Sequence, residues 1–260
     1  MKEVNVVEHM QESPWYESFF GHDYLEMYEE SLTAERTAAE VQGIVNLLGL
    51  SPGARLLDLA CGHGRHAILL AKLGYEVTGY DLSEIFLRRA QADAEAQGVN
   101  VRWVRGDMRR LSFAAEFDAV INVFTAFGYF ADPEEDRQVL RGICAALRPG
   151  GRFLLETMHR DGLISRFRRQ DFEKTANGTF VLHERQWDPA RDLLTDQITL
   201  IRPDGTRKNY TTAIRLYSLT ELIALLKACG MEPESWYGGL NGSPLQLESR
   251  RLAIVSRRGD

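Results

Sequence analysis

Between residues 54 and 157, short apolar runs alternate with stretches whose apolar positions recur at helical spacing. One such stretch, residues 64–73, is closed by Gly74, a residue type that commonly follows a helix. Alternating strands and helices are typical of a parallel sheet that carries helices on both faces. The five strands predicted in this region cover residues 54–60, 75–80, 100–104, 117–123 and 151–157.

The segments before and after this region predict further helices and strands of the same fold. Residues 33–49 have apolar positions at helical spacing and predict a helix that ends at Ser51-Pro52-Gly53. The segment Ser218-Leu219-Thr220-Glu221 is a capping box that begins another helix. Two more strands are predicted at residues 231–237 and 252–257, and the second could pair antiparallel to its neighbour. The pattern therefore predicts an α/β fold with a seven-stranded, mostly parallel, doubly wound sheet.

Residues 178–217 depart from this alternation. They contain three strand-like runs, separated by turn sequences at residues 188–192 and at Pro203-Asp204-Gly205. Three short strands joined by turns predict a small antiparallel insertion after the fifth parallel strand. The predicted organisation is an N-terminal segment at 1–32, a core at 33–177 and 218–260, and the inserted sheet at 178–217.

Net charge, cysteine content and the length of apolar runs limit the classes of protein to which this chain can belong. A net charge of −6 argues against a general nucleic-acid surface, which needs a basic field. Three cysteines without a C-x-x-C pair fit a reducing cytosol and argue against a disulfide framework. Glu3 and Glu8 interrupt the N-terminus where a signal peptide would be apolar, and no apolar run approaches the roughly 20 residues of a membrane span. We expect a cytoplasmic protein without nucleic-acid or membrane partners, and the oligomeric state stays open.

The glycine loop after the first strand indicates a nucleotide-like ligand. Gly62-His63-Gly64-Arg65-His66-Ala67 satisfies G-x-G-x-x-A, and Asp81 follows Gly62 by 19 residues, close to the roughly 20 of a dinucleotide site. An NAD-dependent oxidoreductase is therefore one alternative. Asp58 argues against it, because a carboxylate just before the loop would repel a pyrophosphate and favour a cationic ligand. Cys61, His63 and His66 could suggest a metal site, but the glycines between them form the ligand-binding turn, so no metal is expected.

Five segments in order resemble the class I S-adenosylmethionine-dependent methyltransferases. The resemblance implies a Rossmann-like fold, S-adenosylmethionine as cofactor, and transfer of a methyl group by in-line displacement to an N or O atom of a small-molecule acceptor. An aminopropyl transferase or a non-catalytic S-adenosylmethionine-binding protein remains an alternative. The segments are Asp58–Gly64, Tyr80–Ser83, Gly106–Met108, Asn122–Phe124 and Leu147–Gly151.

The resemblance also implies which residues bind the cofactor. Asp58 suits its ammonium group, Asp81 its ribose hydroxyls and Asp107 its adenine amine. The N-terminal segment covers the cofactor in related small-molecule enzymes, and Tyr24 and Arg36 are the candidates for contacting its carboxylate. The complete set is Tyr24, Arg36, Asp58, Ala60, Gly62, His63, Gly64, Asp81, Leu82, Asp107, Met108, Asn122 and Phe124.

The acceptor is expected beyond the carboxyl ends of the strands, where open α/β sheets bind ligands. Phe127 and Tyr129 follow the fourth strand and predict an aromatic wall. His159 follows the fifth strand and is the candidate general base, while Tyr217 ends the insertion. The insertion resembles the lid of amino-sugar and glycine N-methyltransferases. These four residues are the predicted acceptor contacts.

Overall fold

The computed structural model describes residues 14–259, apart from the side chain of Glu29. Eleven strands and eight α-helices are present in this part of the chain. The strands are β1 (Arg55–Leu59), β2 (Glu76–Asp81), β3 (Arg102–Arg105), β4 (Phe117–Asn122), β5 (Leu147–Met158), β6 (Gln170–Lys174), β7 (Phe180–Asp188), β8 (Leu193–Ile201), β9 (Arg207–Arg215), β10 (Met231–Tyr237) and β11 (Arg251–Arg258). The helices are α1 (Trp15–Phe19), α2 (His22–Tyr28), α3 (Ala34–Leu48), α4 (Arg65–Lys72), α5 (Glu84–Ala96), α6 (Pro133–Ala146), α7 (Arg160–Ile164) and α8 (Leu219–Ala228).

The main sheet has seven strands in the order β10-β11-β5-β4-β1-β2-β3. The strand β11 pairs antiparallel with both β5 and β10, and the other pairs are parallel. The interior strand β1 is buried on both faces: Leu57 and Leu59 belong to one hydrophobic cluster and Leu56 to the other. The predicted doubly wound, mostly parallel sheet with an antiparallel last strand is confirmed.

Side-chain caps fix where the helices of this core begin. Thr33 caps α3, Ser83 caps α5, and Asp132 caps α6 ahead of Pro133. The predicted capping box at Ser218 begins α8 and is complete in both directions. None of the described helices is both long and apolar enough to cross a bilayer.

The inserted sheet, which we call the lid sheet, has four antiparallel strands in the order β6-β7-β8-β9. The expectation of three strands was wrong, because β6 was missed and the sheet begins at residue 170 rather than 178. The sequence of β6, QDFEK, has a single apolar residue and is exposed throughout. An edge strand with no buried face has no alternating pattern from which it could be predicted.

The helices α1 and α2 pack against the lid sheet, and Tyr16 of α1 also packs against the main core. Phe19 and Met27 form a small apolar cluster with residues of β7 and β8. Asp23 on α2 forms ion pairs with Arg202 at 2.7 Å and with Lys208 at 2.8 Å. Burial alone would raise the pKa of Asp23, but hydrogen bonds from Lys208, Tyr210 and Arg202 outweigh it and lower the pKa to about 2. Residues 1–13 of the predicted N-terminal segment lie outside the described residues.

Candidate functional site

A cavity of about 480 Å³ lies where the loops after β1, β2, β3 and β4 meet at the carboxyl edge of the main sheet. The helices α1 and α2 contribute aromatic rings to its wall. Most of the predicted cofactor residues line this cavity, as does one predicted acceptor residue. These residues are Tyr24, Asp58, Ala60, Gly62, His63, Asp81, Leu82, Asp107, Met108, Phe124 and Tyr129.

The glycine loop combines positive backbone angles with very close packing. Ala60 and Gly62 both have φ of +57°, and the backbone N–H of Gly62 donates to Asp81 Oδ2 at 2.8 Å. Gly64 serves a different purpose from the one predicted, because it lies behind the cavity wall. A Cβ at Gly64 would come within 2.5 Å of the Trp103 ring and 2.8 Å of Ala90 Cβ. Its missing side chain lets the start of α4 approach the sheet, rather than the ligand.

Asp58 is a buried carboxylate at the wall of the cavity. Its residue is 1% exposed, and its Oδ2 atom has no hydrogen-bond partner within residues 14–259. Burial raises the pKa of Asp58 to about 7, although the nearby Arg65 opposes this shift. A buried carboxylate oxygen without a partner is costly, so this position favours a cationic ligand group.

Arg65, at the first position of α4, carries a second unpaired group on the same cavity. Its Nη1 atom donates to Thr37 Oγ1 at 3.1 Å and pairs with Glu40, while its Nη2 atom is buried without a partner in the described chain. Burial alone would raise the pKa of Glu40, but the His66 hydrogen bond and the Arg65 charge lower it overall. Asp58 and Arg65 thus both line the cavity, and each has one buried side-chain atom without a partner in the described chain.

Arg36 was predicted to contact the carboxylate of the cofactor. Its guanidinium donates to Glu40 Oε1 at 2.8 Å and to the Ser31 carbonyl at 2.9 Å, and it lies outside the cavity. Arg65 was missed because it occupies a variable position of the glycine motif. A cation at the N-terminus of a helix opposes the helix dipole, and this placement was the available signal.

Two further acidic residues line the cavity beyond the glycine loop. Asp81 accepts the Ser83 N–H at 2.8 Å through Oδ1, in addition to its bond with Gly62, and burial raises its pKa. Asp107 is paired with Arg109 at 2.6 Å and follows β3 directly. Each carboxylate oxygen of Asp81 already has one donor and keeps a second lone pair that could accept a hydroxyl.

The aromatic wall was only partly predicted. Tyr129 lines the cavity, and its ring lies 5.6 Å from that of Phe20 and 4.9 Å from that of Trp15. Burial raises the pKa of both Tyr24 and Tyr129, so their hydroxyls stay protonated at neutral pH. Tyr16 and Phe20 also line the cavity, and the density of aromatic residues at 15–28 was the signal for them.

Three of the four predicted acceptor residues lie outside the cavity. His159 is 5% exposed and caps α7, its Nδ1 accepting the Gly162 N–H at 3.3 Å. Phe127 belongs to the main core and packs 5.6 Å from the ring of Tyr217. Tyr217 donates to the buried carboxylate of Asp136 at 2.7 Å. His159 thus caps a helix, Phe127 packs in the core and Tyr217 pairs with a buried carboxylate. Their assignment as acceptor contacts does not fit the structure.

Asn122 was predicted to border the cofactor, and its side chain also lies behind the cavity. Its Nδ2 donates to the Leu59 carbonyl at 3.0 Å and, more weakly, to the Ala126 carbonyl at 3.4 Å. The residue is fully buried. Asn122 therefore ties the end of β1 to the loop after β4 and shapes the cavity from behind.

Residues 56–151 match a family model described as a methyltransferase domain. The chain also shares its fold with the S-adenosylmethionine-dependent methyltransferase of Clostridium acetobutylicum ATCC 824, with a TM-score of 0.78 and 18% identity over 92% of this chain and 97% of that one. Residues 56–151 thus match a methyltransferase domain, and the chain shares the fold of S-adenosylmethionine-dependent methyltransferases, in agreement with the resemblance of the five motifs.

Particular relatives differ in how much of their length is matched. One relative is a Geobacillus sp. (strain WCH70) protein that is named as a methyltransferase. It is 37% identical over 116 residues, which is 45% of this chain and 47% of that protein. The chain thus spans about half the length of that relative. The cypemycin N-terminal methyltransferase of a Streptomyces species is 27% identical over 86% of this chain and 97% of that one. The amino pentose methyltransferase CalS10 of Micromonospora echinaspora, with bound S-adenosylmethionine, has a TM-score of 0.69 and 22% identity, covering 91% of this chain and 97% of that one.

Proposed function

We propose that this protein transfers a methyl group from S-adenosylmethionine to a nitrogen or oxygen atom of a small-molecule acceptor. The observation that supports this most directly is the pair of unpaired buried groups, Asp58 Oδ2 and Arg65 Nη2, on one cavity. An ammonium and a carboxylate on the same ligand would satisfy both. The amino-acid end of S-adenosylmethionine carries these two charges.

The remaining lining residues fit the rest of the donor. In this proposal Asp81 accepts the ribose hydroxyls, and Asp107 meets the adenine amine while Leu82 and Met108 contact the ring. A dinucleotide fits less well, because its pyrophosphate would lie near the buried carboxylate of Asp58. Asp58 therefore argues against the NAD alternative.

When bound, the donor supplies a methyl group on a sulfonium, already activated for displacement. The protein's part is to hold donor and acceptor in line, which removes an entropic cost of the reaction. Tyr24, Phe124 and Tyr129 line the cavity, and in this proposal their rings exclude water from the reacting methyl group. His63 also lines the cavity, and burial lowers its pKa to about 4, so it stays neutral and can accept a hydrogen bond from the acceptor.

An amine is the favoured acceptor class within this proposal. One relative is named for an N-terminal methyltransferase and another for an amino pentose methyltransferase. A neutral amine needs alignment and no strong base, which agrees with a cavity whose two histidines, His63 and His66, both have a lowered pKa. A cytoplasmic location also belongs to the proposal, supported by the three free cysteines Cys61, Cys144 and Cys229.

The experiment is a calorimetric titration with S-adenosylmethionine and, separately, with NAD. We expect micromolar binding of S-adenosylmethionine, at least a 100-fold loss in Asp58→Asn, and no heat with NAD. Asp118→Asn is the matched control, since Asp118 pairs with Arg148 at the opposite end of the sheet. Binding of NAD by the wild type would overturn S-adenosylmethionine as the proposed donor. If S-adenosylmethionine binds as expected, release of S-adenosylhomocysteine with a panel of amines would establish methyl transfer.

A further inference from the structure

Two consecutive residues just after β4 have an unusual backbone. Phe124 has φ of +65° and Thr125 has φ of +62°, and neither is glycine. The left-handed region is sparsely populated by residues with a side chain, and least of all by β-branched ones. Such a pair persists only where surrounding contacts hold it. Phe124 also lines the cavity, so the constraint lies at the candidate site.

The strand β5 supplies the first set of these contacts. Glu156 accepts both N–H groups, that of Phe124 on Oε2 at 2.8 Å and that of Thr125 on its main-chain carbonyl at 3.1 Å. The N–H of Met158 donates to Thr125 Oγ1 at 3.1 Å. The Glu156 residue is 5% exposed, so its carboxylate needs a further partner.

Arg251, the first residue of β11, is that partner and also reaches the loop. Its Nε and Nη2 atoms pair with the two carboxylate oxygens of Glu156. Its Nη1 atom donates to Thr125 Oγ1 at 2.8 Å. One planar guanidinium therefore fixes both the carboxylate that holds Phe124 and the side chain of Thr125, a geometry that lysine cannot reproduce.

The contacts place the Phe124 ring among three guanidinium groups. Its centroid lies 5.2 Å from the Cζ atoms of Arg65 and Arg36 and 5.6 Å from that of Arg251. Arg65 is the residue proposed to bind the donor carboxylate. If Phe124 and Thr125 relaxed to an ordinary backbone conformation, the ring would move relative to that donor contact.

We propose that Glu156 and Arg251 are a positioning pair that holds Phe124 in its left-handed conformation, and so aligns the cavity wall for methyl transfer. This inference rests on the proposed function. Both side chains act through Phe124 and Thr125 from outside the cavity. Their loss is expected to slow transfer while leaving the donor-binding groups in place.

The test compares Glu156→Gln and Arg251→Lys with the wild type. We expect kcat to fall 10- to 100-fold in each, because misplacement of a wall by about 1 Å costs this much, while the Kd of S-adenosylmethionine changes less than threefold. The double variant is expected to be no slower than the slower single variant, because the two residues act as a unit. Arg152→Lys is the matched control, since Arg152 pairs with Glu234 at 2.9 Å near the other end of β5.

Hydrogen exchange of the Phe124 amide gives a readout that is independent of turnover. We expect at least tenfold faster exchange in Glu156→Gln and Arg251→Lys, and no change in Arg152→Lys. Unchanged kcat despite faster exchange would overturn the positioning role, as would unchanged exchange at Phe124. If the wild type binds S-adenosylmethionine yet turns over no acceptor, the proposed function fails on its own, and the exchange data still report whether the pair holds Phe124.

Discussion

The two sides of the cavity are built in different ways. The side formed by the loops after β1, β2 and β3 uses short segments, such as residues 58–64, in which neighbouring residues supply the backbone angles and the carboxylates. The side formed by the loop after β4 and by α1 and α2 depends on partners far apart in sequence. Arg251 holds Thr125 across 126 residues, and Arg202 holds Asp23 across 179 residues. We infer that the first side is held by contacts among adjacent strands and helices, and the second by segments that are far apart in the chain.

The largest effect is expected on the first side of the cavity, at Gly64. Gly64→Ala should lower the free energy of unfolding by about 3 kcal/mol, because the new Cβ meets the Trp103 ring and Ala90. Gly74→Ala is the control, since its φ is also positive but nothing lies within 4 Å of the added Cβ. It should lose about 1 kcal/mol. Urea unfolding of both variants measures the difference, and equal losses would show that packing against Trp103 is unimportant.

The second effect concerns the two candidate arginines for the donor carboxylate. Arg65→Gln should weaken S-adenosylmethionine binding about 30-fold, as expected for loss of a buried charged contact of about 2 kcal/mol. Arg36→Gln should change it by less than about threefold, because its guanidinium lies outside the cavity. Calorimetric titration of both variants measures this. The reverse order of effects would restore Arg36 as the cofactor ligand.

A smaller effect is expected where α2 binds the lid sheet. The pKa of Asp23 is lowered, so its ion pairs stabilise the fold above the usual carboxyl pKa, and this stabilisation is lost as the pH falls towards 2. Asp23→Asn should lower the free energy of unfolding by about 1 kcal/mol at pH 7 and by much less at pH 2.5. Denaturant unfolding at the two pH values measures it. An equal loss at both would mean that the carboxylate charge contributes little.

The smallest effect is expected at His159. His159→Asn keeps a helix-capping side chain and should leave both stability and kcat nearly unchanged. His159→Ala should cost about 1 kcal/mol of stability through loss of the cap on α7, again without loss of kcat beyond that of the unfolded fraction. A 100-fold fall in kcat in the asparagine variant would return His159 to the role of general base.

These contrasts explain which features of the fold and of the candidate site could be predicted from the sequence. The alternation of strands and helices was predictable from the apolar pattern, and Asp58, Asp81 and Asp107 were predictable as cavity residues because each lies at or near the end of a strand within a short motif. The strand β6 was not predictable, since it leaves no alternating pattern. Arg65 left one signal only, a cation at the N-terminus of a helix. His159 was assigned to the acceptor because it follows β5, yet the Gly162 N–H that it caps determines its orientation. Strand ends indicate which edge a residue occupies, while long-range partners decide where its side chain points.

The most direct test of the central claim is the pH dependence of S-adenosylmethionine binding. Burial raises the pKa of Asp58 to about 7, and a cationic donor requires the ionised carboxylate. Affinity should therefore rise about tenfold between pH 5.5 and 7, below the pKa of the donor's amino group at roughly 8, with protons released on binding. Asp58→Asn should abolish this dependence. A wild-type affinity that stays constant over this range would contradict the claim that the unpaired Asp58 carboxylate binds the donor's positive charge.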